Sequence, residues 1–328
     1  MKLAGKLFGS IFLLLMSGKA YNQSTKGITG VPDTSYSTYS AYINTKKTYP
    51  DISIVNQLHS TAIKEERAVV YCSVNGRNLV LDAFYPSDKA KRSGIAVMII
   101  HGGGWRTGNR SQHYPLAQRL AELGYTCFTP EYRLSTEALY PSAVYDLKAA
   151  MRWIREHAKQ YGIHKNKLVV AGFSAGGELA AFLGTTGGKK EFEGNQCING
   201  ESTRAQAVID MDGILSFVHP ESGEGDDSRS TSAATYWFGY SKNENLALWT
   251  AASPLTYADT LTPPTLFLNS AVDRMHAART DYIKILEQHK IYSQVKTFEG
   301  APHSFVLFQP WFDPVVKDID EFLKKIFK

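Results

Sequence analysis

Residues 167–183 read Lys-Leu-Val-Val-Ala-Gly-Phe-Ser-Ala-Gly-Gly-Glu-Leu-Ala-Ala-Phe-Leu. The apolar run 167–171 predicts a buried strand, and the segment from Ser174 onward predicts a helix. Gly172 and Gly176, each two residues from Ser174, would let a tight strand-to-helix turn close. Ser174 is therefore a candidate nucleophile, because the helix behind it would offer free N–H groups and a positive dipole end to an oxyanion.

Strand and helix patterns alternate on both sides of this turn. A β-hairpin is predicted around Asn75-Gly76, which suits a two-residue type I′ turn. Further strands are predicted at 95–100, 126–129, 167–171, 207–211, 265–269 and 294–298, and helices from 141, 174, 277 and 313. This alternation predicts an α/β protein with a mostly parallel central sheet and helices on both faces.

The first twenty residues have the pattern of a secretory signal peptide. A basic start is followed by apolar residues 7–16 and by small residues near position 20. The apolar stretch is shorter than the ~20 residues that a membrane-spanning helix needs. We therefore predict residues 1–20 as a signal peptide and expect an exported protein, periplasmic or secreted, without a membrane span.

The remaining chain is predicted to consist of an arm and one domain. Residues 21–66 are polar and lack clear periodicity, so we interpret them as an N-terminal arm or linker without chemistry. Residues 67–328 form the α/β domain. Within it, 220–259 interrupts the alternation, and we predict a small insertion over the C-terminal ends of the strands, where open α/β sheets bind ligands.

Composition excludes several classes of protein. The 328 residues are 43% hydrophobic and 20% charged, which is typical of a globular chain rather than a disordered one. The net charge of +5 falls to +2 without the signal peptide, because 33 basic residues then face 31 acidic ones. This balance does not indicate a nucleic-acid-binding surface. The three cysteines allow at most one disulfide bond and show no zinc-binding pattern.

A second glycine-rich motif, His101-Gly-Gly-Gly-Trp105, directly follows the strand 95–100. Glycines let backbone N–H groups approach a ligand without obstruction, as a preorganised oxyanion hole requires. This loop is therefore a candidate for the pair of N–H donors that stabilises an oxyanion. His101 is interpreted as a residue that orders the loop.

A serine nucleophile needs a histidine base, and an acid must orient that histidine. His303 lies on a loop beyond the last predicted strand, and Asp273 follows the strand 265–269, which gives the chain order nucleophile, acid, base. We predict Ser174, Asp273 and His303 as the catalytic residues. Asp210 and Asp212, at the end of the strand 207–211, are alternatives for the acid, and Glu221 is a weaker one.

These motifs resemble those of the α/β-hydrolase esterases of the hormone-sensitive-lipase and acetyl-xylan-esterase type. The resemblance covers roughly residues 67–328 and implies an α/β-hydrolase fold with an eight-stranded sheet. It also implies the roles given above for Ser174 and His303, and an oxyanion hole formed by the N–H groups of Gly103, Gly104 and Ala175. It supports Asp273 by position only, because Arg274-Met275-His276 departs from the small or apolar residues usual after this acid.

The predicted export signal and the stretch Met211-Asp-Gly-Ile-Leu-Ser-Phe-Val-His-Pro-Glu-Ser222 resemble those of bacterial esterases that act on plant polysaccharides. This resemblance implies a serine carboxylic-ester hydrolase that removes acetyl or feruloyl groups from plant-type polysaccharides or oligosaccharides. Trp105 and Trp237 are candidate substrate-binding residues, since exposed indoles can stack on sugar rings. No metal or cofactor is expected. Two alternatives stay open: an exported serine peptidase of the prolyl-oligopeptidase type, and a non-catalytic binding protein on the same fold.

Overall fold

The computed structural model describes residues 22–328; the predicted signal peptide lies outside this range. The strands are β1 (Ser53–Ile54), β2 (Ile63–Val74), β3 (Arg77–Pro86), β4 (Ala96–Ile100), β5 (Thr126–Pro130), β6 (Leu168–Phe173), β7 (Ala207–Met211), β8 (Thr265–Asn269), β9 (Ser293–Thr297) and β10 (Phe308–Gln309). The helices are α1 (Thr38–Thr45), α2 (Tyr114–Glu122), α3 (Ser142–Glu156), α4 (Ala158–Tyr161), α5 (Ala175–Thr185), α6 (Ala233–Phe238), α7 (Leu246–Ala251), α8 (Arg279–Gln288) and α9 (Phe312–Ile326).

Eight strands form the central sheet in the order β2-β3-β5-β4-β6-β7-β8-β9. The predicted hairpin forms β2 and β3, with positive φ at Asn75 and Gly76 as a type I′ turn requires. β3 also pairs antiparallel with β5, and all other pairs in this sheet are parallel. The predicted α/β-hydrolase fold, a mostly parallel sheet with helices on both faces, is confirmed.

Each central strand is buried on both faces, so its side chains alternate between two hydrophobic cores. In β4, Met98 and Ile100 face the core under α3, α5 and α8, whereas Val97 and Ile99 face the core under α2 and α9. This is why 95–100 appears in the sequence as a continuous apolar run. The parallel strands end at one edge of the sheet, where the loops that carry the motifs begin.

The predicted arm is ordered and lies along this edge. The Gly108 N–H donates to Asp33 O at 3.0 Å, close to the glycine loop that follows β4. Further along, β1 pairs antiparallel with β10, which follows the His303 loop. β2 begins at Ile63, inside the segment predicted as linker. The arm therefore connects two loops that border Ser174.

The segment predicted as an insertion, 220–259, contains the short helices α6 and α7. Its aromatic residues pack together: Phe238 lies 5.0 Å from Trp237 and 4.7 Å from Trp249 between ring centroids. Cys72 of β2 forms a disulfide bond with Cys197, and Cys127 is a buried free thiol. Over residues 22–328, no helix has the length and apolar character needed to cross a bilayer.

Candidate active site

Ser174 occupies the turn between β6 and α5, as the sequence predicts. Its backbone has φ 57° and ψ −123°, a conformation that is strained for a residue with a side chain. The Ser174 N–H donates to Met211 O at 2.9 Å, which fixes the turn to the neighbouring strand β7. The turn has no room for further side chains, since a Cβ on Gly172 would lie 1.8 Å from Gly176 O.

His303 reaches Ser174 from the loop after β9. Its Nε2 lies 2.9 Å from Ser174 Oγ, and its ring packs on Phe173 with 4.9 Å between centroids. The His303 side chain is 28% exposed, so one side of the imidazole faces the solvent. The structure thus brings together the two residues that the sequence predicts as nucleophile and base.

The structure corrects the predicted acid. His303 Nδ1 lies 2.9 Å from Oδ2 of Asp212, and Asp273 is not its partner. Asp212 follows β7, which lies directly beside the Ser174 strand β6, and its positive φ of 56° turns the chain at this point. Asp273 begins a turn of 3-10 helix, is exposed, and lines a separate cavity with Arg274 and His276.

Asp212 is buried, and several neighbouring groups donate hydrogen bonds to its carboxylate. Its Oδ1 accepts from the Ser270 N–H at 2.8 Å and lies 3.2 Å from His276 Nε2. Burial alone would raise the pKa of Asp212, but the hydrogen bonds from His276, His303 and Ser270 outweigh it and lower this pKa to about 2. The carboxylate is therefore ionised at neutral pH. Sequence reasoning missed His276, which has no motif of its own.

The other predicted alternatives for the acid lie elsewhere. Asp210 is buried beneath the turn, where its Oδ1 accepts from the Gly213 N–H at 2.7 Å, and burial raises its pKa well above the usual range. Glu221 is exposed and accepts from the Ala278 N–H at 3.0 Å. Neither carboxylate contacts His303.

The glycine loop after β4 borders Ser174 on the other side. The Gly102 N–H donates to Gln112 Oε1 at 2.8 Å, and Tyr132 donates to His101 O at 3.0 Å. Gly103 has φ 125°, and a Cβ there would lie 2.0 Å from Thr107 O, so only glycine fits. Burial lowers the pKa of His101 to about 4, which keeps its imidazole neutral while it stacks on Tyr132.

The N–H groups predicted to form an oxyanion hole are not engaged by protein acceptors in the described part of the chain, as this role requires. Within residues 22–328, the N–H groups of Gly103, Gly104 and Ala175 donate to no protein acceptor. Gly104 and Ala175 line a cavity of about 70 Å³ together with Ser174. Its other lining residues are Trp105, Ile214, Glu224, Ala233 and Met275.

The two tryptophans predicted to bind substrate differ in their positions. Trp105 is 4% exposed, borders the small cavity, and donates from its indole to Glu178 Oε2 at 2.9 Å. Trp237 is fully buried and stacks on Trp105 with 5.1 Å between centroids. The prediction that Trp237 contacts substrate is therefore corrected: this indole supports Trp105 from behind.

Comparison with known proteins supports the relationship to esterases. The BD-FAE family model matches residues 81–280. Esterase LipQ of Mycobacterium tuberculosis is 28% identical over 61% of this chain and 47% of its own length. The ethyl acetate hydrolase of Pseudomonas putida is 27% identical over 67% of this chain and 69% of its own. The chain spans about half or less of the length of LipQ and of LipM, a probable carboxylic ester hydrolase from the same Mycobacterium.

Solved structures agree on the architecture. Esterase 2 of Thermogutta terrifontis with propionate bound has a TM-score of 0.64 and 25% identity, over 81% of this chain and 95% of that one. A truncated carbohydrate esterase from gut microbiota has a TM-score of 0.67 and 20% identity, over 83% and 99% of the two chains, which supports the fold alone. The chain therefore belongs to the BD-FAE family, among the esterases of the α/β-hydrolase type.

Proposed function

We propose that the protein hydrolyses carboxylic esters through a covalent acyl-enzyme, with Ser174 as nucleophile, His303 as base and Asp212 as the acid. The observation that carries this proposal is the continuous pair of 2.9 Å contacts from Ser174 Oγ to His303 Nε2 and from His303 Nδ1 to Asp212. In this arrangement the Nδ1–H of His303 donates a hydrogen bond to Asp212, which leaves Nε2 to accept the proton of the Ser174 hydroxyl.

The reaction has two halves. Ser174 Oγ attacks the ester carbonyl while His303 Nε2 takes its proton, and the carbonyl oxygen becomes an oxyanion that the N–H groups of Gly103, Gly104 and Ala175 stabilise. The tetrahedral intermediate collapses to the acyl-enzyme, and His303 protonates the leaving alcohol. Water then attacks the acyl-enzyme with His303 again as base, and the carboxylic acid is released as Ser174 regains its proton.

The cavity beside Ser174 favours a small acyl group. Its volume of about 70 Å³ suits an acetyl group better than the much larger feruloyl group. The name of the ethyl acetate hydrolase relative points the same way. We therefore propose acetyl esters as substrates, with polysaccharides or oligosaccharides as the acetylated alcohols.

The proposed polymeric substrate requires export, which we retain as a proposal. Residues 1–20 contain a basic start, an apolar stretch and small residues in the order typical of a signal peptide. The Cys72–Cys197 bond supports the same proposal, because disulfides persist mainly in oxidising compartments outside the cytosol.

The direct test compares native protein with the Ser174→Ala variant on p-nitrophenyl acetate, p-nitrophenyl ferulate and acetylated polysaccharides. We expect native protein to release acetate faster than ferulate, and Ser174→Ala to be folded but inactive. Ser228→Ala, at an exposed serine, is the matched control and should retain native rates. Cleavage of peptides in place of esters would favour the peptidase alternative, and a native protein inactive on every ester would favour a binding protein.

A further inference from the structure

A second cavity lies on the His303 side of the site, between the arm and the His303 loop. Its volume is about 350 Å³, within the range of about 300–1,000 Å³ typical of small-molecule sites. The arm contributes most of its lining: Tyr36, Ala41, Asn44, Thr45, Thr48 and Tyr49, which face Pro302, His303 and Ser304. The small cavity adjoins Ser174, whereas this larger one adjoins His303.

The arm is held in place against the His303 loop. Thr45 Oγ1 lies 2.9 Å from Ser304 Oγ, next to His303 in the chain. The Tyr49 ring packs edge-on against Trp311 with 6.0 Å between centroids. Together with the pairing of β1 and β10, these contacts fix the arm wall relative to the imidazole. The arm is therefore attached at three points, one on the His303 loop itself and two on the chain that directly follows it.

The lining has the chemistry of a site for neutral, hydroxyl-rich ligands. Asn44 and Thr48 are exposed polar residues, and Asn44 Oδ1 accepts from Lys47 Nζ at 3.3 Å, which leaves the amide NH₂ of Asn44 for a ligand. Tyr36 and Tyr49 supply half-buried aromatic rings. Burial raises the pKa of Tyr36 to about 12, and its phenol is uncharged at neutral pH. None of the described residues that line this cavity is Asp, Glu, Lys or Arg. Aromatic faces beside amide and hydroxyl groups suit a sugar ring, and the lack of charge disfavours an ionic ligand.

We propose that the arm cavity binds the alcohol portion of the ester, and that its occupant is a neutral sugar ring. This inference rests on the proposed function, in which His303 protonates the departing alcohol, so the alcohol must lie beside His303. The acetyl group then occupies the small cavity beside Ser174. The arm that the sequence predicts as a linker thereby sets the preference for the alcohol.

The test uses two esters that share the acetyl group: ethyl acetate, whose alcohol is too small to fill the arm cavity, and a monoacetylated methyl xylopyranoside. The variant Asn44→Ala/Thr48→Ala removes polar groups from the cavity but leaves the Thr45–Ser304 and Tyr49–Trp311 contacts. We expect the ratio of kcat/KM for the glycoside to kcat/KM for ethyl acetate to fall about tenfold, the effect of two lost hydrogen bonds.

Tyr39→Ala/Ile43→Ala is the matched control, because both residues are exposed on α1 and do not line the cavity. An unchanged ratio in the cavity variant, or an equal fall in the control, would overturn the proposal. A second measurement separates the test of the subsite from the test of the proposed function: saturation-transfer NMR detects binding of the acetylated glycoside to Ser174→Ala. Binding that is lost on adding Asn44→Ala/Thr48→Ala supports the subsite even if native protein hydrolyses no ester, and binding that persists contradicts it.

Discussion

Asp212 combines burial with ionisation, which the structure explains by the donors around its carboxylate. We expect Asp212→Asn to lower kcat for p-nitrophenyl acetate by about 10⁴-fold, because the amide no longer holds His303 in the required tautomer. Asp273→Asn is the matched control and should change kcat less than twofold, since Asp273 is exposed outside the site. Steady-state kinetics of the two variants test this assignment. A larger loss of kcat in Asp273→Asn would mean that Asp273, in the turn after β8, is the acid.

Glu178 of α5 is a buried carboxylate whose Oε1 has no partner among the described residues. Burial raises the pKa of Glu178 well above the usual range. Each pKa unit of this rise corresponds to about 1.4 kcal/mol of destabilisation of the ionised carboxylate relative to the neutral one. Because the folded-state pKa exceeds the unfolded one, the contribution of Glu178 to stability is present at low pH and lost as pH rises above 4.5.

We therefore expect Glu178→Gln to be more stable than native protein at pH 8, with the difference vanishing near pH 4. Melting temperatures measured between these pH values provide the test. Glu321→Gln, at an exposed glutamate, should show no such trend. A Glu178→Gln variant less stable than native protein at pH 8 would mean that the ionised carboxylate is stabilised by its surroundings.

At the residue scale, the sequence could predict those site residues whose geometry depends on a local motif. Ser174 is defined by its flanking glycines, and Gly103 and Gly104 by the glycine run. The choice between Asp212 and Asp273 depends on which of two loops points a carboxylate at His303. That depends on the positive φ at Asp212 and on contacts with Ser270 and His276, which lie 58 and 64 residues away in the chain.

At the scale of elements, the connection between β6 and α5 depends on the absence of side chains. We expect Gly172→Ala to lower the free energy of unfolding by about 3 kcal/mol or more, because the new Cβ would collide with a backbone carbonyl. Gly223→Ala is the control, since its Cβ would meet only the Arg274 side chain, at 3.5 Å from Cδ and 4.0 Å from Nη1. Urea denaturation measures both, and equal stabilities would show that the turn tolerates a side chain.

Most helices and strands could be predicted because each has its own periodicity of apolar residues or is bounded by a glycine, a proline or a polar turn. β7 and β8 have the predicted bounds, 207–211 and 265–269. The helix predicted from residue 141 divides at His157 into α3 and α4, and Gly162, with a left-handed φ of 68°, follows the end of α4. The arm was not predicted as structured, because β1 and α1 are short and depend on contacts with the distant C-terminal part of the chain.

At the scale of the whole molecule, the Cys72–Cys197 bond links β2 to the loop before β7 across 125 residues of sequence. Closing so long a loop restricts the unfolded chain, and such a bond typically contributes about 2–5 kcal/mol. We expect dithiothreitol to lower the melting temperature of native protein to that of Cys72→Ser/Cys197→Ser, and to leave the variant unchanged. A native protein insensitive to the reductant, while no more stable than the variant, would contradict this contribution.

The fold brings together Ser174, Asp212 and His303 from the loops that follow β6, β7 and β9, and the proposed mechanism makes Ser174 Oγ the reactive hydroxyl. The most direct test is to treat native protein with a fluorophosphonate and to locate the adduct by peptide mass spectrometry. The account predicts one adduct, on Ser174, formed rapidly in native protein and absent from Ser174→Ala. Folded native protein that forms no adduct, or one modified at another residue, would contradict it.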